Sequence, residues 1–145
     1  KKLPEFYRQT ERALSRVTDK PAAFRLLERI AHKDLDLTEA RLALASTARA
    51  ANNGERAVTE AKAALALDPD NEMTAISAAQ SAQAGPQGVT PALDILDGFL
   101  RRKPKAIEAR FTYARLLAND DRKEDARQQF ELALRYLVLN QQLYK

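Results

Sequence analysis

Few side chains in this sequence are of types and spacings that could do chemistry. It holds no cysteine and a single histidine, His32, which excludes thiolate nucleophiles, disulfides and any multi-histidine metal site. His32 sits among Arg29, Lys33 and Asp34, the surroundings of a solvated side chain. Ser15, Ser46, Ser77 and Ser81 have no histidine in phase with them, so no nucleophile–base pair can be assembled. Gly85-Pro86-Gln87-Gly88 lacks the Lys-Ser/Thr that completes a phosphate loop. Acidic groups gather at Asp68, Asp70 and Glu72, and again at Asp120, Asp121, Glu124 and Asp125. Helix capping and dipole pairing account for both clusters without a cation. The sequence thus reads as non-catalytic, with no metal and no cofactor, and with no small-molecule substrate. What stands out instead is Arg8, Arg12 and Arg16 at i, i+4 and i+8, a basic ridge along one helix face.

Helices must position these groups. The 145 residues leave room for one domain or one short repeat array. Ala (27), Leu (20), Arg (15), Glu (10) and Lys (9) make up more than half of them, against 16 for Val, Ile and Thr together. That balance favours helix and excludes a predominantly β fold. A formal charge of +4 is spread without any run of five like charges, as on a solvated helical surface. No apolar run approaches the ~20 residues of a membrane span. The chain opens Lys1-Lys2-Leu3, as expected of a piece of a longer parent whose targeting signal would not be visible. Breakers at Pro21, Asn52-Asn53-Gly54, Asp68-Pro69, Gly85–Gly88, Lys103-Pro104 and Asn119–Asp121 punctuate helical apolar spacing. They predict eight helices, near 5–17, 21–33, 38–51, 55–67, 72–84, 91–102, 106–119 and 122–139. Thr90-Pro91 reads as a helix start, and Asp36/Glu39 and Asp121/Glu124 have capping-box spacing.

These helices repeat. Ala57, Ala61, Ala64 and Pro69 align with Ala92, Leu96, Phe99 and Pro104, 35 residues later. Ala126, Phe130 and Ala133 follow after 34 more, and Ala23, Leu27 and Ile30 stand 34 before. Leu44, Ala45 and Ala48 keep phase with Tyr113, Ala114 and Leu117. A helix–turn–helix unit of about 34 residues therefore runs through the chain as repeats at about 4–37, 38–71, 72–106 and 107–140. The third carries one extra residue, placed in the Gly85–Gly88 loop. The first is the most degenerate, with Glu11 where a small residue is expected.

This pattern resembles the tetratricopeptide repeat (TPR), most clearly in Tyr113, Ala114, Leu117, Ala126, Phe130 and Ala133. The resemblance implies an all-α, right-handed α-solenoid of four repeats forming one array across 1–145. It also implies that the first helix of each repeat lines a concave groove. On that register the groove would present Arg8, Arg12 and Arg16, then Leu42, Ser46 and Arg49, then Ile76 and Gln80, then Phe111 and Arg115. Leu42, Ile76 and Phe111 would form an apolar stripe, and the arginines would favour some negative charge on a bound peptide. The family's carboxylate clamp is not matched, because Arg12, Ala43, Met73 and Ser77 stand where its basic and amide residues belong.

The function expected is a protein–protein interaction scaffold or adaptor that holds a peptide or partner segment in the groove. A second expectation is a structural spacer or homo-oligomerisation module of a larger bacterial envelope protein. RNA binding is a third, disfavoured because the groove positions lack a repeated polar base-reading pair. Leu132, Leu134, Tyr136, Leu137, Val138, Leu139, Leu143 and Tyr144 make the C-terminal segment apolar, as expected of a further repeat or of a homodimer through the last helix. With Val138 at the place of the closing proline, that helix is free to run on. The Ala-Leu-Asp-Pro-Asp-Asn closing motif at 66–71 is similar in texture to repeats of bacterial envelope proteins, which points to the periplasm or cell envelope.

Overall fold

The computed structural model describes residues 2–83 and 85–143, with Gln142 and Leu143 described by their backbone alone. Eight helices are present: α1 (Leu3–Leu14), α2 (Lys20–Ala31), α3 (Thr38–Ala50), α4 (Gly54–Leu67), α5 (Glu72–Ala82), α6 (Thr90–Arg102), α7 (Ile107–Asn119) and α8 (Lys123–Leu143). There is no strand among the described residues. Ala84, Tyr144 and the Leu143 side chain, which entered the sequence expectations, lie outside them. Helix α8 continues past residue 139 because nothing at Val138 removes a donor or clashes as proline would.

Local chemistry sets most helix ends. Asp19 accepts from the Ala22 amide, Asn53 from Arg56, and Asn71 from Met73 and Thr74, each satisfying amides that the first turn leaves free. Two expected starts are corrected. Thr90 is already the first residue of α6, behind Val89. Leu37, packed against the core, takes the capping place of α3 with no side-chain bond, so Asp36 does not cap it. Asp121 has another role: with φ 61 it ends α7, and Arg122 N–H bonds back to Leu117 O at 2.9 Å. Asn52, at φ 64, ends α3 the same way, through Asn53 N–H to Ala48 O at 2.8 Å. This is one left-handed stop reused two repeats apart.

The helices pair as α3–α4, α5–α6 and α7–α8. Each second helix meets the next first helix, and the first helices also stack, α1 on α3, α3 on α5 and α5 on α7. The result is a TPR-like right-handed α-solenoid of four hairpins, with α1, α3, α5 and α7 as its inner layer. Close approach is possible because Ala45, Ala57, Ala61, Ala64, Ala92, Ala114 and Ala133 line the seams with no exposed surface. In the loop after α5, a Cβ at Gly85 would stand 3.0 Å from Val58 Cγ2, so a larger residue there would make the Val58 side chain give way where this loop lies against α4.

The first hairpin departs from the others. Helices α1 and α2 share no run of Cα atoms within 8 Å, consistent with Glu11 at the small position. Tyr7, Phe24 and Leu27 fill the space, and the Tyr7 hydroxyl donates to Asp34 and to Ile30 O. Burial and that carboxylate push the Tyr7 phenol above its ordinary 10.0. Arg56 ties α4 to α2, 2.7 Å from Glu28 and over the Phe24 ring.

Two arginines brace their hairpins from equivalent positions. Arg41 donates to Leu35 O at 2.8 Å and to both Glu60 oxygens at 2.9 and 3.1 Å. Arg110 donates to Pro104 O and to Gln129 Oε1, each at 2.7 Å. The second brace lacks a carboxylate. Arg110 is 6% exposed, its Nε has no partner among the described residues, and the Tyr136 ring covers it at 5.6 Å. Burial lowers the Arg110 pKa, an effect Tyr136 and Tyr113 partly offset. Gln129→Glu is expected to supply the missing counter-charge and stabilise the fold by about 1 kcal/mol, read as a rise in Tm. Glu60→Gln is expected to lower it. A Gln129→Glu protein that melts at or below the parent would contradict this account of the brace.

Candidate functional site

Stacking α1, α3 and α5 side by side leaves a cleft of about 420 Å³ along their inner faces. Arg8 and Glu11 come from α1, and Glu39, Leu42, Ser46 and Arg49 from α3. The α5 side brings Asn71, Met73, Thr74, Ser77, Gln80 and Ser81. Gln80 also borders a second hollow of about 320 Å³, where Gln83 faces Thr112, Arg115 and Asn119 of α7 and Phe130 of α8. The cleft and the hollow adjoin at Gln80 along the inner helices, and most of their lining residues carry hydroxyls, amides or charged groups. Helices rich in alanine leave little bulk to fill them.

Charge in the groove is unevenly satisfied. Arg8 lies 3.2 Å from Glu5 and 3.7 Å from Glu39. Among the described residues, Arg115 donates only to Thr112 Oγ1, at 3.3 Å. Arg49 has neither an ion pair nor a side-chain hydrogen bond among the described residues, and the same is true of Glu11. Met73, 64% exposed, is the prominent apolar side chain at this surface. Such a surface offers directional donors and acceptors, with apolar contact from Leu42 and Met73 in the cleft and from Leu116 and Phe130 in the hollow.

Of the residues expected in the groove, Arg8, Leu42, Ser46, Arg49 and Gln80 come together in the main cleft, and Arg115 joins Gln80 in the second hollow. The expected apolar stripe does not form. Ile76 is 8% exposed within the core cluster, and Leu42 is itself packed against that cluster. Phe111 is half-buried with its ring 6.1 Å from that of Phe130. On an alanine-rich layer Ile76 and Phe111 are side chains large enough to fill the gaps, whereas Leu42 both packs on the core and lines the cleft. The arginine ridge is broken as well. Helix α1 stops at Leu14, and Arg16 lies in the turn beyond, its amide bonded to Ala13 O at 3.2 Å. Arg12 is exposed and lines neither hollow.

Thr74 and Ser81 line the cleft, although neither was expected in the groove from sequence. Their signal was legible, since they are polar where a first helix otherwise buries small or apolar side chains. The acidic cluster at the α4–α5 turn is engaged in structure. Thr74 donates to Asp68, Arg102 lies 3.5 Å from Asp70, and Glu72 accepts from the Ala109 amide at 2.9 Å, capping α7. Near the start of α8, Asp121, Asp125 and Glu124 pair with Lys123, Arg122 and Arg127. No group of three or more metal-ligating side chains occurs among the described residues. No helix among them is long and apolar enough to cross a membrane.

The sequence matches no protein-family model and no curated protein. The fold, however, is similar to that in two crystal structures of MamA, a helical TPR-like repeat protein. One has a TM-score of 0.66 at 15% identity, over 96% of this chain and 81% of that one. The other has a TM-score of 0.64 at 16% identity, over 92% and 72%. At such identities the likeness establishes a TPR-like fold and nothing finer.

These placements separate packing residues from groove residues. Ile76→Asp is expected to destabilise the chain by about 3 kcal/mol or more, because it buries an unpaired carboxylate. Arg49→Ala is expected to stay within about 0.5 kcal/mol of the parent. Thermal melts of the two variants decide it, and an unchanged Ile76→Asp melt would place Ile76 in the groove after all.

Proposed function

We propose that this chain is a non-catalytic protein–protein interaction scaffold, a TPR-family array that holds an extended, polar segment of a partner protein in its concave groove. The observation that carries this reading is the pair of adjoining hollows along the inner helices. Cleft and hollow share Gln80, and Arg49 and Arg115 stand along them without a carboxylate partner among the described residues. The four repeats, at about 4–37, 38–71, 72–106 and 107–140, act together as one array within a larger bacterial protein, which we place at the cell envelope. Peptide anchorage falls on backbone and polar side chains of the partner, with negative charge favoured opposite Arg49 and Arg115.

The test is affinity capture from source-organism extract with three baits: the parent chain, an Arg49→Glu/Gln80→Glu/Arg115→Glu variant, and a Leu134→Asp variant altered on the outer face of α8. A protein held by the first and third baits and lost at least about tenfold from the second is the expected result. Equal retention by the first and second would remove the groove as the binding site.

A further inference from the structure

We infer that the cleft selects its partner by a basic side chain: a lysine or arginine of the bound segment pairs with Glu11 of α1, an inference that rests on the groove reading above.

Glu11 is the exception among the buried and half-buried acidic side chains of the described residues. Glu28, Glu39, Glu60 and Asp97 each have an arginine no farther than 3.7 Å away. Asp34 and Asp68 accept from the hydroxyls of Tyr7 and Thr74, and Glu72 accepts from the Ala109 amide. Glu11, half-buried, has neither an ion pair nor a side-chain hydrogen bond among the described residues. It also breaks the repeat. The same place holds Ala45 in α3, Ala79 in α5 and Ala114 in α7, all with no exposed surface. A carboxylate drawn partly out of water without a partner is costly, and a cation brought to it offsets that cost.

The surroundings suit a basic side chain. Glu11 lines the cleft of about 420 Å³ and also a small hollow of about 40 Å³ between α1, α2 and α3. Ser46 borders both, and its hydroxyl makes no hydrogen bond among the described residues. Leu14, Ala23 and Ala50 give the small hollow apolar walls. A side chain entering from the cleft meets a carboxylate, a free hydroxyl and apolar groups suited to a methylene stem. Both hollows lie between helices of this chain, on the side of α1 that faces α3, and not on an end face.

None of the neighbouring cations pairs with Glu11. Arg8 is held by Glu5 and Glu39, and the Lys20 ammonium donates to Ser15 O at 2.7 Å. Arg12 lines neither hollow, and Arg49, on the cleft wall, makes no ion pair among the described residues. With Arg49 left to an acidic residue, the segment that fits carries both charges.

Random octapeptides displayed and selected on the parent chain, then remade as end-blocked synthetic peptides, supply the probe. The tightest are expected to carry a lysine or arginine whose change to glutamine weakens binding about tenfold on the parent and leaves it unchanged on Glu11→Gln. They are expected to be lost on Ser77→Trp, which fills the cleft without altering its charge. Peptides lost on Ser77→Trp but lacking a basic residue would overturn the inference and leave the groove reading standing. So would peptides whose basic residue matters equally on the parent and on Glu11→Gln. Peptides held by Ser77→Trp as by the parent, or a library that yields none, would overturn both. Circular dichroism checks each variant. Glu11→Ala, the residue of the other repeats, or Gln80→Trp replaces a variant that loses helicity.

Discussion

The contact on which the rest of this structure depends is that of one helix backbone against another across alanine. At Ala45, Ala57, Ala61, Ala64 and Ala92 nothing of the side chain reaches solvent, and a larger group there would overpack a seam that has no slack. Where the seams are kept, α3 to α8 stack in register. Where the first repeat puts Glu11 in the small position, α1 and α2 stand apart and Tyr7 closes the gap by reaching Asp34. The groove follows from the same economy of bulk. Helices that spend their large side chains on filling the core present hydroxyls, amides and arginines on the inner face.

Charge enters the interior only where geometry supplies a partner. Arg41 stretches between Leu35 O and Glu60, a carboxylate 2% exposed that also lies 3.7 Å from Arg56, so the buried carboxylate is held by two cations. Arg110 repeats the arrangement against a neutral Gln129. The last hairpin is therefore braced by hydrogen bonds and an aromatic face, with a buried cation left partly uncompensated. Glu72 adds a longer tie, capping α7 from α5 and fixing the spacing of the inner helices that frame the second hollow.

The fold was legible because its signals are local. Proline, glycine and Asn-Asn-Gly stop helices whatever surrounds them, and alanine spacing marks the seams, so eight helices and a 34-residue rhythm could be read directly. The caps at Thr90 and Asp36 were misread because packing of Leu37 and the turn at Val89 decided those ends. Side-chain direction was less legible than position. Ile76 and Phe111 hold groove positions in the repeat, yet their size turned them toward gaps that only the assembled neighbours define. The braces at Arg41 and Arg110 were passed over because an arginine at a position the family fills with a large residue looks like a surface charge until its carbonyl and its carboxylate or amide partners are seen.

What unites these observations is a division between the layers, with outer helices closing the core and inner helices lining the cleft and the hollow. A photo-crosslinking residue placed at Gln80, where the two hollows meet, and separately at exposed Lys62 on α4, examines that division in source-organism extract. The groove reading requires a discrete protein crosslinked through Gln80 and absent from the Lys62 sample. Crosslinking through Lys62 with none through Gln80 would put the binding surface on the outer layer and contradict it.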